Sequence, residues 1–141
     1  MGDIETIQRL RSAFGADVGA DVGEDARRLI EVIEPVLDPE IEVWMAAGPM
    51  SDEYHGIDGL RAAWADFLHA FDSLRIEFGE MSEIGEAVLD HVILKGVPRG
   101  TTAEIEQPAA AVWRFRDGLL RRVEFHIDRD AARQSAASRV A

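Results

Sequence analysis

Apolar residues recur at helical spacing through the first half of the chain and at alternating positions through the second. In "DIETIQRLRSAF", Ile4, Ile7, Leu10 and Phe14 share one helix face, Asp3 or Thr6 can cap the start, and Gly15 ends the helix. "EDARRLIEVIEPVL" repeats the pattern with Ala26, Leu29, Ile30 and Ile33, and Pro35 stops this second helix. Between them, "ADVGADVG" is too rich in glycine and aspartate for a helix. It predicts a flexible loop over 16–24, with Asp17, Asp21, Glu24 and Asp25 solvated. "DPEIEVWMA" then reads as a short strand and "GPMSDEYHGIDG" as a loop. "IDGLRAAWADFLHAFDSL" predicts a third helix with a strong apolar stripe of Ile57, Leu60, Trp64, Phe67, Leu68 and Phe71.

After Phe71 the period shortens to two. "LRIEFGEM", "EAVLDHVILKG", "TAEIEQPAAAVWRFRDG" and "LLRRVEFHID" are successive strands joined by short turns, an antiparallel meander. Asp117-Gly118 is the strongest hairpin signal. Pro108, inside a long strand, calls for a bulge or an edge position because it has no N–H to donate. "DRDAARQSAASRVA" predicts a short helix capped by Asp128 and fraying over 136–141. Three helices followed by a meander make one α+β domain over 1–141, with those helices on one face of the sheet.

Bulk properties narrow the function classes. A chain of 141 residues, 47% hydrophobic and 30% charged, can bury a real core without disulfides or a structural metal. It has no cysteine, which excludes thiolate zinc sites and cysteine nucleophiles. With 27 acidic against 15 basic residues, the net charge of −12 repels phosphate backbones and anionic lipid, so neither nucleic acid nor membrane is expected as a partner. No apolar run reaches the roughly 20 residues of a membrane helix. The N-terminus lacks a basic region followed by an apolar one, and a cytoplasmic location is expected.

"RRVEFHID" raises the question of chemistry. His126 and Asp128 stand two apart on a strand, the spacing of an acid/base pair or half a metal site. Two ligands do not close a metal site, and His91 is the only third candidate, so no metal is expected. Alternation sends Val123, Phe125 and Ile127 to the face shared with Ala111, Trp113 and Phe115, and leaves Glu124, His126 and Asp128 outside. Asp128 is then the cap of the last helix, and His126 a surface or dimer-interface residue. No phosphate loop, dinucleotide fingerprint or Ser-His-Asp constellation is present.

The short strand "LDPEIEV", the segment "YHGIDGLRAAWADF", the strand ending "VWRFRDG" and the closing "VEFHIDRDAA" together resemble the SnoaL-like branch of the nuclear transport factor two-like superfamily, alongside the ketosteroid isomerases. The resemblance implies a cone-shaped α+β fold. N-terminal helices pack on a strongly curved, mostly antiparallel sheet around an apolar pocket, and homodimers form through the outer sheet face. It implies a small hydrophobic or polycyclic ligand and, in the enzymes, isomerisation, dehydration or cyclisation by acid/base chemistry without a cofactor. The family register turns Asp90 inward and His91 outward. Asp90 becomes the candidate base, with Tyr54 or His55, at the expected pocket mouth, as donor. Trp44, Trp64, Phe67, Leu68, Gln107, Ala111, Trp113, Phe115 and Phe125 are the candidate lining residues. Three positions where related enzymes carry acids or a base fall at or beside Trp44, at Ala111 and near Phe125, all apolar here. That departure keeps a second reading open, a binding or interaction protein without catalysis that dimerises through its sheet.

Overall fold

The structure is a computed structural model that describes residues 3–14, 17–18, 27, 30–46 and 52–138. Helix α1 spans Asp3–Phe14. Strand β1, Asp17–Val18, pairs with Leu74 and Arg75, so part of the predicted acidic loop joins the sheet. Asp21, Glu24, Asp25, Ala26 and Leu29 lie outside the described residues. Helix α2 covers 30–33 and tightens into a 3-10 turn at Glu34–Val36, where Pro35 ends regular helical bonding. Strand β2 follows at Leu37–Ala46.

The segment read as a loop contains a strand. Asp52–His55 forms β3, with Tyr54 opposite Val43 and Glu53 opposite Trp44. Its four residues are too few and too polar for alternation to reveal. Helix α3 is Gly56–His69. Phe71, placed by its spacing on the helical stripe, instead opens β4, Phe71–Ile84. Strands β5 (Ala87–Pro98), β6 (Ile105–Arg116) and β7 (Leu119–His126) complete the meander, and helix α4 is Arg129–Ala137.

The sheet runs β1-β4-β5-β6-β7-β2-β3, and β2 lies parallel to β7 while its other neighbours pair antiparallel. Register shifts in β4 at Phe71/Ser73 and Phe78/Met81, and between β6 and β7 at Arg114/Phe115, curl the sheet without closing it, since each extra residue bends its strand. The β6–β7 hairpin turns on Asp117 and Gly118, both at positive φ (54° and 80°), as a tight turn matched to strand twist requires. Pro108 pairs with Ile93 on β5 but lies beyond the end of β7, whose pairing with β6 stops at Ala110, so on that side β6 is an edge.

On the concave face, Ile7 and Leu10 of α1, Ile30 and Ile33 of α2, and Leu60, Ala63 and Trp64 of α3 pack against Val43, Val88, Ala111, Trp113 and Val123. The three N-terminal helices thus share one face, as expected, and α4 takes the other. Its Ala132 and Ala136 pack on Ala87, Leu89, Ala110 and Val112, on the opposite face of the sheet. Alanines let a helix backbone approach a sheet closely, and Ala136 is buried within the segment expected to fray. Coverage of both faces also explains why β5 is apolar on both sides. Asp128 caps α4, accepting hydrogen bonds from the backbone N–H groups of Asp130 (2.9 Å) and Ala131 (3.3 Å). Among the described residues no helix is long and apolar enough to cross a membrane.

Candidate functional site

Between the concave face and the helices lies a cavity of about 90 Å³. α3 supplies Leu60, Trp64 and Phe67, and the sheet supplies Ala111, Trp113 and Phe125. Trp64 meets Phe67 and Phe125 edge to face, with ring centroids 5.8 Å and 5.6 Å apart. Cross-strand register accounts for the space. Ala111 stands directly between Asp90 on β5 and Phe125 on β7, and its single methyl leaves open what a larger side chain would fill. Phe78 and Ile127 also line the cavity while 36% and 41% exposed, which marks them as its mouth.

Asp90 is the one carboxylate among the lining residues, and it is 3% exposed. Trp113 Nε1 donates to its Oδ2 at 3.1 Å, and Arg11 Nη2 donates to its Oδ1. Arg11 reaches down from α1, donating through Nη1 to the Gly79 carbonyl at 3.1 Å, with its guanidinium carbon 4.9 Å from the centre of the Phe78 ring. The bulge in β4 makes this contact. Phe78 pairs with Val92 and Met81 with Asp90, so Gly79 and Glu80 together oppose His91. A side chain at Gly79 would come within 3.1 Å of the His91 carbonyl oxygen, so the close approach of β4 to β5 favours glycine there. Burial raises the Asp90 pKa from its ordinary value, against the downward pull of the hydrogen bond and charge of Arg11 and of the Trp113 bond. Arg99, by contrast, lies 3.8 Å from Asp72 and donates to the His69 carbonyl.

The other sequence candidates divide. Trp64, Phe67, Ala111, Trp113 and Phe125 line the cavity. Trp44 does not: Ile41, Val43 and Met45 take the inward positions of β2, and Trp44 lies on the other face against His126, with ring centroids 5.2 Å apart. Phe115 packs at the edge of the main core outside the cavity lining. Gln107 lies beyond the lining, with its amide donating to the Pro108 carbonyl at 2.9 Å. The side chain of Leu68 lies outside the described residues. Tyr54 and His55 are not brought to Asp90. β3 turns the Tyr54 hydroxyl to Asp66 at 3.1 Å, and His55 is exposed.

His126, expected at the surface, is 4% exposed, and Glu124 beside it 1%. Glu124 lies on the face covered by α4, where Ser135 reaches it, and His126 stands beside it on that face while also bordering the cavity. Glu124 Oε1 accepts from His126 Nε2 (2.8 Å) and Ser135 Oγ (2.6 Å), and Oε2 from Arg122 Nε (2.9 Å). Burial raises the Glu124 pKa, but the bonds from His126, Ser135 and Arg122 outweigh it and leave it lowered to about 2. An acceptor-only carboxylate requires the His126 Nε2 to carry the proton in this bond.

Arg11 was missed by the sequence reading. The available signal was its place four residues after Ile7 and three before Phe14, on the ridge that faces the core.

The sequence model of the SnoaL-like domain matches residues 24–123. Comparison with curated proteins finds no match. Solved structures share the fold along nearly the whole chain. TerC co-crystallised with polyporic acid is 19% identical, with a TM-score of 0.67 over 96% of this chain and 98% of its own. A protein described as a SnoaL-like polyketide cyclase from Jannaschia sp. is 18% identical, with a TM-score of 0.67 over 97% of this chain and 92% of its own. A nuclear transport factor two-like protein of unknown function from Burkholderia pseudomallei is 17% identical, with a TM-score of 0.69 over 98% of this chain and 100% of its own.

Proposed function

Because the chain belongs to the SnoaL-like domain family, we propose that it binds a small hydrophobic molecule in its concave cavity and that Asp90 acts on that molecule as an acid or base. One observation carries the reading: an apolar cavity with a single inward carboxylate whose pKa burial has raised. A carboxylate in that state takes a proton more readily than one in water, as abstraction from carbon beside a carbonyl requires. The class of reaction is cofactor-independent isomerisation, dehydration or cyclisation. TerC with its polyporic acid and the neighbour described as a polyketide cyclase support that class of ligand.

Volume limits the ligand. An apolar cavity of about 150 Å³ holds benzene, and the space here is about 90 Å³. The enclosed part is therefore smaller than a single ring needs, and a ring or polycyclic ligand extends past Phe78 and Ile127.

The test is a screen of hydrophobic carbonyl compounds with wild type and Asp90→Asn. Turnover lost by at least about a hundredfold in the variant supports Asp90 as the base. Equal turnover in both removes it. A second reading, binding without catalysis, is favoured by the two donors already on Asp90 and by apolar residues at Ala111 and Phe125. Binding with no turnover in either protein decides for it. Dimerisation through the sheet belongs to this reading, and light scattering that gives a monomer mass removes that part.

A further inference from the structure

Beside the main cavity lies a second one of about 20 Å³, lined by Met45, Ala63, Trp64, Phe67 and Phe125. All of these except Ala63 also line the main cavity, so a single layer of side chains separates the two spaces. The layer is not uniform. Trp64 is held edge to face by Phe67 at 5.8 Å and by Phe125 at 5.6 Å, and a ring packed on two sides has little room to turn. Met45, on β2, is unbranched, and its three side-chain torsions let it exchange one packing for another at small cost. It is the movable part of the partition.

Size and polarity decide what the second cavity takes. A space of roughly 10–15 Å³ already accommodates a water molecule, but that water needs two to four polar partners. Here no polar atom faces the space. A methyl or methylene group fits the same volume without that requirement, and it restores the dispersion contacts that the lining atoms lack.

We infer that Met45 and Ala63 are specificity-determining residues: Met45 swings aside to join the two cavities, and the joined space selects an apolar ring that carries a short unbranched alkyl arm. The ring sits in the main cavity and the end of the arm reaches Ala63, which is 1% exposed and borders the second cavity alone. A branched arm is too wide for a space that takes one carbon. The inference rests on the main cavity being a ligand site, as proposed above. It adds the shape of the ligand and two residues that the acid/base chemistry of Asp90 does not use.

Two isomers test it, n-propylbenzene and isopropylbenzene, which have the same atoms and differ only in the branching of the arm. Titrated by NMR, wild type is expected to bind the n-propyl isomer at least about tenfold more tightly. The terminal methyl of its arm should give a nuclear Overhauser effect to the Ala63 methyl. Ala63→Val fills the second cavity and should bring the ratio of affinities to within about twofold. Met45→Ile, branched at Cβ and stiff, should do the same by holding the partition shut. Equal affinity of wild type for the two isomers, a bound n-propyl arm with no Overhauser effect at Ala63, or a preference that survives in Ala63→Val overturns the inference. The Overhauser effect is read on wild type, so it decides the matter even where a variant does not fold. If wild type binds neither isomer, the pocket reading falls and this one with it, whereas equal binding of both removes this one alone.

Discussion

Asp90 and Glu124 are both carboxylates on sheet strands, 3% and 1% exposed, yet their surroundings drive them in opposite directions. For both, loss of water is the largest influence and raises the pKa. The hydrogen-bond donors decide the outcome. Asp90, on the concave face, has Arg11 and Trp113, and stays raised. Glu124, under α4, has His126, Ser135 and Arg122 filling both oxygens, and falls to about 2. Asp90 is the carboxylate that the proposed function assigns to proton exchange with a ligand. The other is fixed as an anion that ties α4 to the sheet. Burial of a carboxylate alone does not single out a candidate site; burial that its donors do not fully offset, at the wall of a cavity, does.

The largest expected effect comes from removing the fixed anion. Glu124→Ala strips three donors of their acceptor and leaves Arg122 with only Glu42 and Glu53, each at 3.4 Å. Urea denaturation should show a loss of about 4 kcal/mol, whereas Asp90→Asn, which keeps the side chain's size and an acceptor oxygen and removes a charge that burial disfavours, should cost less, about 1 kcal/mol. Similar losses in the two variants would erase the distinction.

Acid sharpens the contrast further. The depressed pKa of Glu124 contributes stability that is complete above its unfolded value near 4.5 and is lost as the pH falls toward 2, about 3 kcal/mol in all. Asp90 works the other way. Its raised pKa means the folded state binds the proton more tightly, so its contribution is present at low pH and is lost as pH rises from 3.8 through the folded value. Unfolding measured from pH 2 to 6 should therefore show a steep acid loss in wild type and a flatter one in Glu124→Gln. In Asp90→Asn the dependence should be steeper above pH 3.8. A Glu124→Gln profile parallel to wild type would show that Glu124 is not the group responsible.

The same asymmetry explains what the sequence made legible. Period and turn chemistry disclosed α1, the end of α2, α3, the four long strands of the meander, the Asp117-Gly118 hairpin and the Asp128 cap, because each depends on residues within a turn or two of one another. The short strand β3 stayed hidden because it exists only through pairing with β2. The site was legible to the extent that alternation governs it: Trp64, Trp113 and Phe125 lie on the cavity side. Alternation says which face a residue takes, not what covers that face. Glu124 and His126 were therefore read as an outward, solvated pair, and their burial, with Ser135 of α4 bonded to Glu124, went unseen. Arg11 and Asp90 lie 79 residues apart, a contact that no local pattern encodes.

The smallest predicted effect tests whether α4 is the reason Glu124 differs. The Asp128 side chain holds the first turn of α4 through two backbone N–H groups, and Asp128→Ala should cost about 1 kcal/mol. Ser135 lies in that helix and supplies one of the donors on Glu124. Loosening the helix should then speed amide exchange in α4 and raise the Glu124 pKa, observed by carboxyl NMR as a titration moved upward from about 2. Asp90 lies across the sheet from α4, so its titration should stay as in wild type. If instead Asp90 moves and Glu124 does not, the two faces are coupled through β5 and β6 rather than separately set, and the donors counted on each carboxylate are not what divides them.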